Sequence, residues 1–435
     1  MRKSFLAIVL MYGLLFAGSF YWQLCAPIQD HPANPRYYQM FKERRGAVYD
    51  RNGLALAESA PDGEIFARTY STASLSHVVG YFHQRYGMTG LERIFHEDLS
   101  RGRSLITTLD LAVQQSAEEA LKGREGAVVV MKPATGEVLA LASAPWVDGN
   151  ELDANWSDYL ADQRSPFLNR ATHGLYPPGS TVKPIVYGAA LSQEHTVGSQ
   201  VWDDGGSLAI RNRTIQNFGG KAYGKITADQ ALALSSNVVF AQLAMELGDG
   251  LLTVLREFGL GAEIQFDLPN LGGHVPGRVS SDYDFAQLGI GQGELLVTPL
   301  QMAAVASAIA NRGIMMRPYV VQEVRGGLKM RQITRPQPIR EVMPEEAAAA
   351  LLGAMELAAA EGTAQTSLDT AFDYGGKTGT AQMGQGSDHA WFIGFAPAER
   401  PQAAVAVLVE HGGSGSQVAV PIGVRLLEAA LAVDE

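Results

Sequence analysis

A serine and a lysine three positions apart are the first residues in this sequence whose types and spacing could do chemistry. Ser180 and Lys183 follow a Pro-Pro-Gly turn at the start of a predicted helix, where residues three apart share a face. A serine hydroxyl becomes a nucleophile when a base removes its proton, and a lysine whose pKa is lowered can be that base. Of the nine lysines, only Lys183 has a serine three residues before it. Taken alone, the pair also fits an N-capping serine beside a solvated lysine.

A second motif, Ser235-Ser236-Asn237, lies where one predicted helix ends and the next begins. The Ser235 hydroxyl and the Asn237 amide are two residues apart, so a tight turn can direct both into one cleft. A serine at such a place is also the ordinary N-cap of a helix. The motif alone predicts no more than that cap.

The third motif runs from Lys377 to Thr380 within a β-pattern. Successive strand side chains alternate between faces, so Thr378 and Thr380 are predicted to point the same way. Gly379 would leave room for a ligand backbone to lie against the strand. A lysine inside a strand is unusual, and the competing interpretation is a glycine-rich turn with an exposed lysine.

The elements that must position these motifs follow from the spacing of apolar residues. Helical spacing predicts helices over residues 110–121, 228–233, 236–247, 251–258, 299–311, 347–360 and 421–433, besides the one that opens near Ser180. Apolar runs predict strands over residues 126–131, 137–142, 376–383, 390–395 and 403–410. Strands at both ends with helices between them predict an α/β (α+β) fold, in which an antiparallel sheet is flanked by helices and carries a helical lobe.

A charge-free stretch lies near the start of the chain. Arg2 and Lys3 precede a largely apolar run over residues 5–24, and its twenty residues would span about 30 Å as a helix. Positive charge before the run predicts a single-pass anchor in the cell membrane with a cytoplasmic N-terminus and an extracytoplasmic remainder. The alternatives are a cleaved signal peptide, whose apolar region is shorter, and a lipoprotein signal at Cys25, whose preceding residues would be small.

The rest of the chain divides into two parts by composition. Residues 26–35 carry three prolines and are predicted to be a stiff linker, and residues 47–49 and 51–53 a short strand and a hairpin turn. Because residues 26–105 contain few apolar blocks, they are predicted to form a linker and a small pedestal domain that packs against the domain that follows it. The predicted organisation is therefore a cytoplasmic tip and transmembrane anchor (1–25), the pedestal (26–105) and a large catalytic domain (106–435).

Composition excludes several classes of protein. Of 435 residues, 46% are hydrophobic, which is ample for a large core, and the formal net charge of −11 argues against a nucleic-acid partner. A single cysteine excludes an intramolecular disulfide framework and a cysteine-cluster metal site. The nine histidines are scattered and none forms an H-x-x-x-H pair, so we expect no metal and no cofactor.

The three motifs are far more specific together than apart. S-x-x-K, S-D-N and K-T-G are together the motif set of serine penicillin-binding proteins and class A β-lactamases, and the three motifs of this chain come in that order. The chain resembles the class B penicillin-binding proteins, the monofunctional D,D-transpeptidases of peptidoglycan synthesis, over nearly its whole length. Further similar segments are residues 45–53, 89–92, 126–144, 176–184, 291–293, 298–302 and 388–392.

This resemblance implies a role for each motif residue. Ser180 would be the acylated nucleophile and Lys183 its general base. Ser235 would relay a proton to the leaving amine, and Asn237 would hold the amide of the donor peptide. The terminal carboxylate would bind to the strand that contains Lys377, Thr378, Gly379 and Thr380. The backbone N–H groups of Ser180 and Thr380 would form the oxyanion hole. The implied partners are peptidoglycan stem peptides on lipid II-derived strands, β-lactam antibiotics as covalent inhibitors, and a polytopic SEDS-family glycosyltransferase.

One departure from the related patterns leaves alternatives open. The middle motif is Ser-Ser-Asn rather than the S-D-N of class A β-lactamases, and the sequence offers no clear carboxylate to activate a deacylating water. We therefore expect slow hydrolysis of penicillin. The other interpretations are a β-lactam-hydrolysing or β-lactam-sensing serine acylase and a non-catalytic activator of a SEDS glycan polymerase. The sequence does not distinguish roles in elongation, division or sporulation.

Overall fold

A five-stranded antiparallel sheet, the central sheet, organises the larger part of the molecule. The computed structural model describes residues 2–21, 39–326, 332–381 and 386–434. In spatial order the strands are Gly375–Ala381, His389–Ala396, Ala403–Val409, Gly126–Met131 and Val138–Ala144. The sheet therefore joins the two ends of this region, as predicted.

Helices cover both faces of the central sheet, which explains why its strands are apolar on both sides. Leu111–Leu121 and Val420–Leu431 pack on one face, and Pro299–Ala310 packs on the other. Asp110 begins the first of these helices by accepting hydrogen bonds from the N–H groups of Ala112 and Val113. The mixed α/β transpeptidase fold expected from the sequence is confirmed.

The helical lobe is formed mainly by the chain segment between the strands Val138–Ala144 and Gly375–Ala381. Its helices are Leu152–Ala161, Arg170–His173, Lys183–Gln193, Ala228–Leu234, Asn237–Leu247, Asp249–Glu257, Asp282–Gly289 and Glu345–Ala360. Two short antiparallel strand pairs precede the second motif. The hairpin of Ser207–Ile210 with Arg213–Gln216 lies in the chain between the paired strands Val201–Asp204 and Gly224–Thr227. Neither these strand pairs nor the helices Leu152–Ala161 and Asp282–Gly289 were predicted from the sequence.

The N-terminal module is tied to the catalytic region by a shared six-stranded sheet. In spatial order its strands are Gln332–Ile333, Val321–Arg325, Ser104–Thr107, Val48–Tyr49, Ala55–Asp62 and Ile65–Tyr70. Val321–Arg325 thus completes the sheet of a module that lies far earlier in the chain. The division at residue 105 remains a prediction.

A buried ion triad holds the module together. Glu92 is fully buried and accepts hydrogen bonds from Arg45 Nε and Arg68 Nε, each at 2.6 Å. Arg45 also lies 4.3 Å from the centre of the Phe82 ring. The segments 45–53 and 89–92, which carried the resemblance, therefore meet in one contact.

The N-terminal helix Arg2–Phe20 is apolar over residues 5–20, and most of its described side chains are exposed. Among the described residues, no single helix is both long and apolar enough for a membrane span. The helices Asn237–Leu247 and Asp249–Glu257 reach that length and apolarity only together, and the chain bends by 98° between them. The remaining part of the predicted anchor, the proline-containing linker and Cys25 lie outside the described residues.

Candidate active site

Ser180 lies in a tight turn pressed against the strand that carries the third motif. The turn Gly179–Val182 is a 3₁₀ helix that leads into the α-helix Lys183–Gln193, so residues three apart still share a face. Gly179 has a φ of +53°, and its N–H donates to the Gly291 carbonyl at 2.9 Å. A Cβ at Gly179 would lie 2.8 Å from the Thr380 carbonyl oxygen. The half-buried Ser180 is thereby placed beside Thr380.

Lys183 connects the first motif to the second. Its side chain is fully buried, and Nζ donates to the Ser235 carbonyl at 2.7 Å, to Ser235 Oγ at 3.2 Å and to Asn237 Oδ1 at 2.8 Å. These three acceptors use every donor of an ammonium group. A neutral amine has only two N–H donors, so deprotonation frees a lone pair within this arrangement.

The pKa of Lys183 is held well below its usual value. Burial is the largest cause, because it disfavours the charged form, and the positive charge of Lys377 lowers the pKa further. The carboxylate of Asp204 acts in the opposite direction. The residue predicted to be a base is therefore in an environment that favours the basic form.

Ser235 is held in an uncommon backbone conformation between two helices. Its φ is +62°, in the left-handed region that few residues other than glycine adopt. The N-cap of the helix Asn237–Leu247 is Ser236, whose Oγ accepts from the Val239 N–H at 3.0 Å. The capping role that the sequence allowed for this motif thus belongs to Ser236, while the Ser235 hydroxyl faces the lysines.

Lys377 approaches the same hydroxyl from the other side. It is fully buried, and Nζ donates to Ser235 Oγ at 2.9 Å and to the Thr378 carbonyl at 3.0 Å. Burial lowers the pKa of Lys377 to about 7. The competing interpretation of an exposed lysine in a turn is excluded, because this residue lies in the strand Gly375–Ala381.

The other residues of the third motif occupy the two faces of that strand. Thr378 is buried and its Oγ1 donates to Thr363 Oγ1 at 2.8 Å, while Thr380 is half-buried. A Cβ at Gly379 would lie 2.9 Å from the Pro178 carbonyl oxygen and 3.0 Å from Trp391 Cβ. The missing side chain at Gly379 therefore lets the Ser180 turn pack on the strand.

Three supporting residues were not predicted to belong to the site. Thr363 contacts Thr378, and its N–H donates to the Ala233 carbonyl at 3.0 Å, just before the second motif. Asp204 accepts from Ser236 Oγ at 2.6 Å, and its partner Asn217 also contacts Asn237. These residues come from segments without a recognisable pattern, so no sequence signal marked them.

Two buried residues near the third motif support its surroundings. Trp391 is fully buried, and its Nε1–H donates to the Pro177 carbonyl at 3.1 Å. This hydrogen bond fixes the segment that leads into the Ser180 turn. His389 is also buried, and its Nδ1 accepts from the His411 N–H at 3.1 Å. Among the described residues, no group of three or more His, Cys, Asp or Glu side chains could hold a metal ion.

Comparison with protein families finds two matching domains that together cover most of the chain. Residues 126–428 match the penicillin-binding protein transpeptidase domain, and residues 45–125 match the penicillin-binding protein A dimerisation domain. The peptidoglycan D,D-transpeptidase PbpA of Mycolicibacterium smegmatis is 32% identical, over 99% of this chain and 98% of that protein. The peptidoglycan D,D-transpeptidase MrdA of Escherichia coli is 30% identical, over 82% of this chain and 64% of that protein.

Solved structures agree with this relationship. The D,D-transpeptidase domain of a peptidoglycan glycosyltransferase from Eggerthella lenta superimposes with a TM-score of 0.84 at 33% identity, over 90% of this chain and 99% of that one. A ceftriaxone acyl-enzyme complex of penicillin-binding protein A from Mycobacterium tuberculosis gives 0.84 at 31% identity, with the same coverage of 90% and 99%. The chain therefore belongs to the class B penicillin-binding proteins and is a serine-type peptidoglycan D,D-transpeptidase.

Proposed function

We propose that crosslinking proceeds through an acyl-enzyme at Ser180, with Lys183 as the general base. The observation that carries this proposal is the full burial of Lys183 next to the Ser180 turn, in contact with Ser235 and Asn237. Lys183 in its neutral form takes the hydroxyl proton as Ser180 Oγ attacks the carbonyl carbon of the penultimate D-Ala. The C–N bond then breaks and the terminal D-Ala leaves.

Ser235 is suited to protonate the leaving amine. Its Oγ accepts hydrogen bonds from Lys183 and Lys377, which occupy both of its lone pairs. The remaining O–H proton is thus available to the departing nitrogen and is replaced from Lys183. An amine of a neighbouring stem peptide then attacks the acyl-enzyme along the reverse path, which forms the crosslink and restores Ser180.

Lys377, Thr378 and Thr380 would bind the terminal carboxylate of the donor peptide on the strand that also contains Gly379. A carboxylate placed beside Lys377 raises the pKa of that lysine from about 7, so the bound substrate keeps it charged. A charged Lys377 in turn favours neutral Lys183. Binding of the donor-peptide carboxylate therefore favours the neutral form of Lys183, which is the form that acts as the base.

The backbone N–H groups of Ser180 and Thr380 would hold the developing oxyanion. Support comes from the packing of Gly179 against the Thr380 carbonyl, which brings the two segments into contact. Donors fixed in advance, where negative charge develops, lower the barrier without reorganisation during the reaction.

β-Lactams would acylate the same serine. Penicillin-binding protein A from Mycobacterium tuberculosis has been solved as acyl-enzyme complexes with ceftriaxone, imipenem and penicillin G. By analogy, this chain is expected to form a long-lived adduct.

The proposed reaction is tested with a stem peptide ending in D-Ala-D-Ala and a peptide amine acceptor. Wild-type protein is expected to release D-Ala and form the crosslinked product, and Ser180→Ala protein to form neither. Product formation by the Ser180→Ala protein at the wild-type rate would refute the mechanism.

We further propose that residues 1–25 anchor the protein in the cell membrane with a cytoplasmic N-terminus, that residues 26–105 form the pedestal and that residues 106–435 form the catalytic domain. Support comes from the apolar helix Arg2–Phe20 and the positive charge at its start. A SEDS-family glycosyltransferase is the proposed membrane partner. Fractionation with and without residues 1–25 tests the anchor, and co-purification of the full chain with a SEDS protein tests the partner.

A further inference from the structure

A buried carboxylate lies behind the second motif, outside the three motifs themselves. Asp204 ends the strand Val201–Asp204 and is fully buried. It accepts hydrogen bonds from Asn217 Nδ2 at 2.7 and 2.9 Å, from Ser236 Oγ at 2.6 Å and from the Gly206 N–H at 2.8 Å. These donors give both carboxylate oxygens hydrogen-bond partners away from water.

The partners of Asp204 hold the turn that presents Ser235 and Asn237. Ser236 caps the helix Asn237–Leu247, and Asn217 Oδ1 accepts from the N–H groups of Asn237 at 2.7 Å and Val238 at 3.2 Å. One carboxylate therefore anchors both side chains that satisfy the start of this helix. Displacing it would move the acceptors of Lys183.

Asp204 lies one hydrogen bond away from the segment that holds Lys183, since it accepts from Ser236 Oγ and Lys183 Nζ donates to the residues on either side of Ser236. Its charge therefore also acts on Lys183. Within the part of the chain that the structure describes, the charged groups that influence Lys183 are Lys377, from the strand Gly375–Ala381, and Asp204, from the strand Val201–Asp204. Their effects have opposite signs. Tyr223 also lies close to Asp204, and the pKa of its hydroxyl is raised, so it adds no charge at neutral pH.

We propose that Asp204 is a positioning residue that both fixes the Ser235–Asn237 turn and sets the pH at which acylation begins. This inference rests on the proposed role of Lys183 as the base. Acylation rises with pH as Lys183 loses its proton, and the midpoint of that rise belongs to the coupled pair of lysines. A carboxylate near Lys183 favours its protonated form, so Asp204 holds the midpoint higher than the lysines alone would.

The test is the rate constant for acylation by a fluorescent penicillin, measured across the pH range for three variants. Asp204→Asn is expected to move the midpoint to lower pH, by about one unit, because the charge that favours protonated Lys183 is gone. The maximal rate constant at high pH, the plateau, should fall by about tenfold, because one acceptor oxygen becomes an NH2 donor and the hydrogen bond from Ser236 Oγ is lost. Ser236→Ala keeps the charge but removes the hydrogen bond to Asp204 and the cap on the Val239 N–H, so it should lower the plateau and leave the midpoint unchanged.

Asp203→Asn is the matched control, because it removes the same charge from the neighbouring, exposed position of the same strand. It should retain the wild-type midpoint and plateau. An Asp204→Asn protein with a lowered plateau and a wild-type midpoint would overturn the proposal and leave a purely structural role. Failure of the wild-type protein to be acylated would instead count against the proposed function.

If Asp204→Asn does not fold, Asp204→Glu keeps the charge while displacing the hydrogen bonds. A lower plateau with a midpoint near that of the wild type is expected. A midpoint moved to lower pH in Asp204→Glu would contradict the assignment.

Discussion

Lys377 Nζ lies 2.9 Å from Ser235 Oγ, although the two residues are 142 positions apart in the chain. The same hydroxyl accepts a hydrogen bond from Lys183 at 3.2 Å. Two buried lysines thus meet at one small group, and the charge of each disfavours the charge of the other. This arrangement explains how a lysine can be the base of this site.

Removal of Lys377 should change both substrate binding and the pH profile. In Lys377→Ala, acylation by penicillin is expected to fall between about tenfold and a hundredfold, because the carboxylate loses a charged hydrogen-bond donor. The pKa of Lys183 rises when the neighbouring positive charge is lost, so the midpoint of acylation should move to higher pH. Lys225→Ala, at an exposed position, is the control. A midpoint unchanged in Lys377→Ala would argue against coupling of the two lysines.

Thr363 is expected to fix the side-chain rotamer of Thr378 on the carboxylate-binding strand, because its Oγ1 accepts the hydrogen bond that Thr378 Oγ1 donates. In Thr363→Val the contact with Thr378 Oγ1 is lost, and the dissociation constant for penicillin before acylation should rise by about three- to tenfold. Thr363→Ser keeps the hydroxyl and should restore most of the affinity. Stopped-flow acylation separates this binding step from the chemical step. Equal affinities for the Val and Ser variants would exclude this role for the hydroxyl.

Position 179 should not tolerate a side chain, because Gly179 packs closely against the strand Gly375–Ala381. In Gly179→Ala, the positive φ and the Thr380 oxygen, 2.8 Å from the new Cβ, are expected to cost about 2 kcal/mol of unfolding free energy. Acylation should slow as well, because Ser180 moves relative to Thr380. Gly353→Ala is the control, since its Cβ would meet nothing within 4 Å on an exposed helix position. Urea unfolding should show that this control is as stable as the wild type or more stable.

Glu92 should be essential for the stability of the N-terminal module. Glu92→Gln leaves the buried guanidinium groups of Arg45 and Arg68 without a counter-charge, which is expected to cost about 3–5 kcal/mol. Glu345→Gln breaks the exposed pair with Arg312 and should cost less than about 1 kcal/mol. Thermal unfolding of both variants measures the contrast. Similar losses in the two proteins would show that the buried triad contributes no more than a surface pair.

The motif residues could be predicted because local geometry determines how they are presented. A spacing of three on a helix places Ser180 and Lys183 on one face, and strand alternation separates Lys377 from Thr378. The convergence of Lys183 and Lys377 on Ser235 depends on tertiary packing, and only the resemblance to a known family predicted that these residues share one site. Asp204 and Thr363 carry no local pattern, since their function follows entirely from contacts with distant segments.

In the fold, too, elements marked by local apolar spacing could be predicted, whereas contacts between distant segments could not. The buried strands and helices around the central sheet are continuous apolar segments, so their spacing predicted them within a few residues. The helix Leu152–Ala161 was missed because Leu152 is its only fully buried residue. Pairing of Val321–Arg325 with Ser104–Thr107 could not be predicted, because a strand sequence does not specify a distant partner.

The most direct test of the account is to locate the covalent adduct that a β-lactam forms with this protein. Purified wild-type and Ser180→Ala proteins are treated with penicillin G, and intact-mass and peptide mass spectrometry follow. We expect one penicilloyl group per wild-type chain, on the peptide that contains Ser180, and no adduct on the variant. Equal labelling of both proteins, or an adduct on another residue, would contradict it.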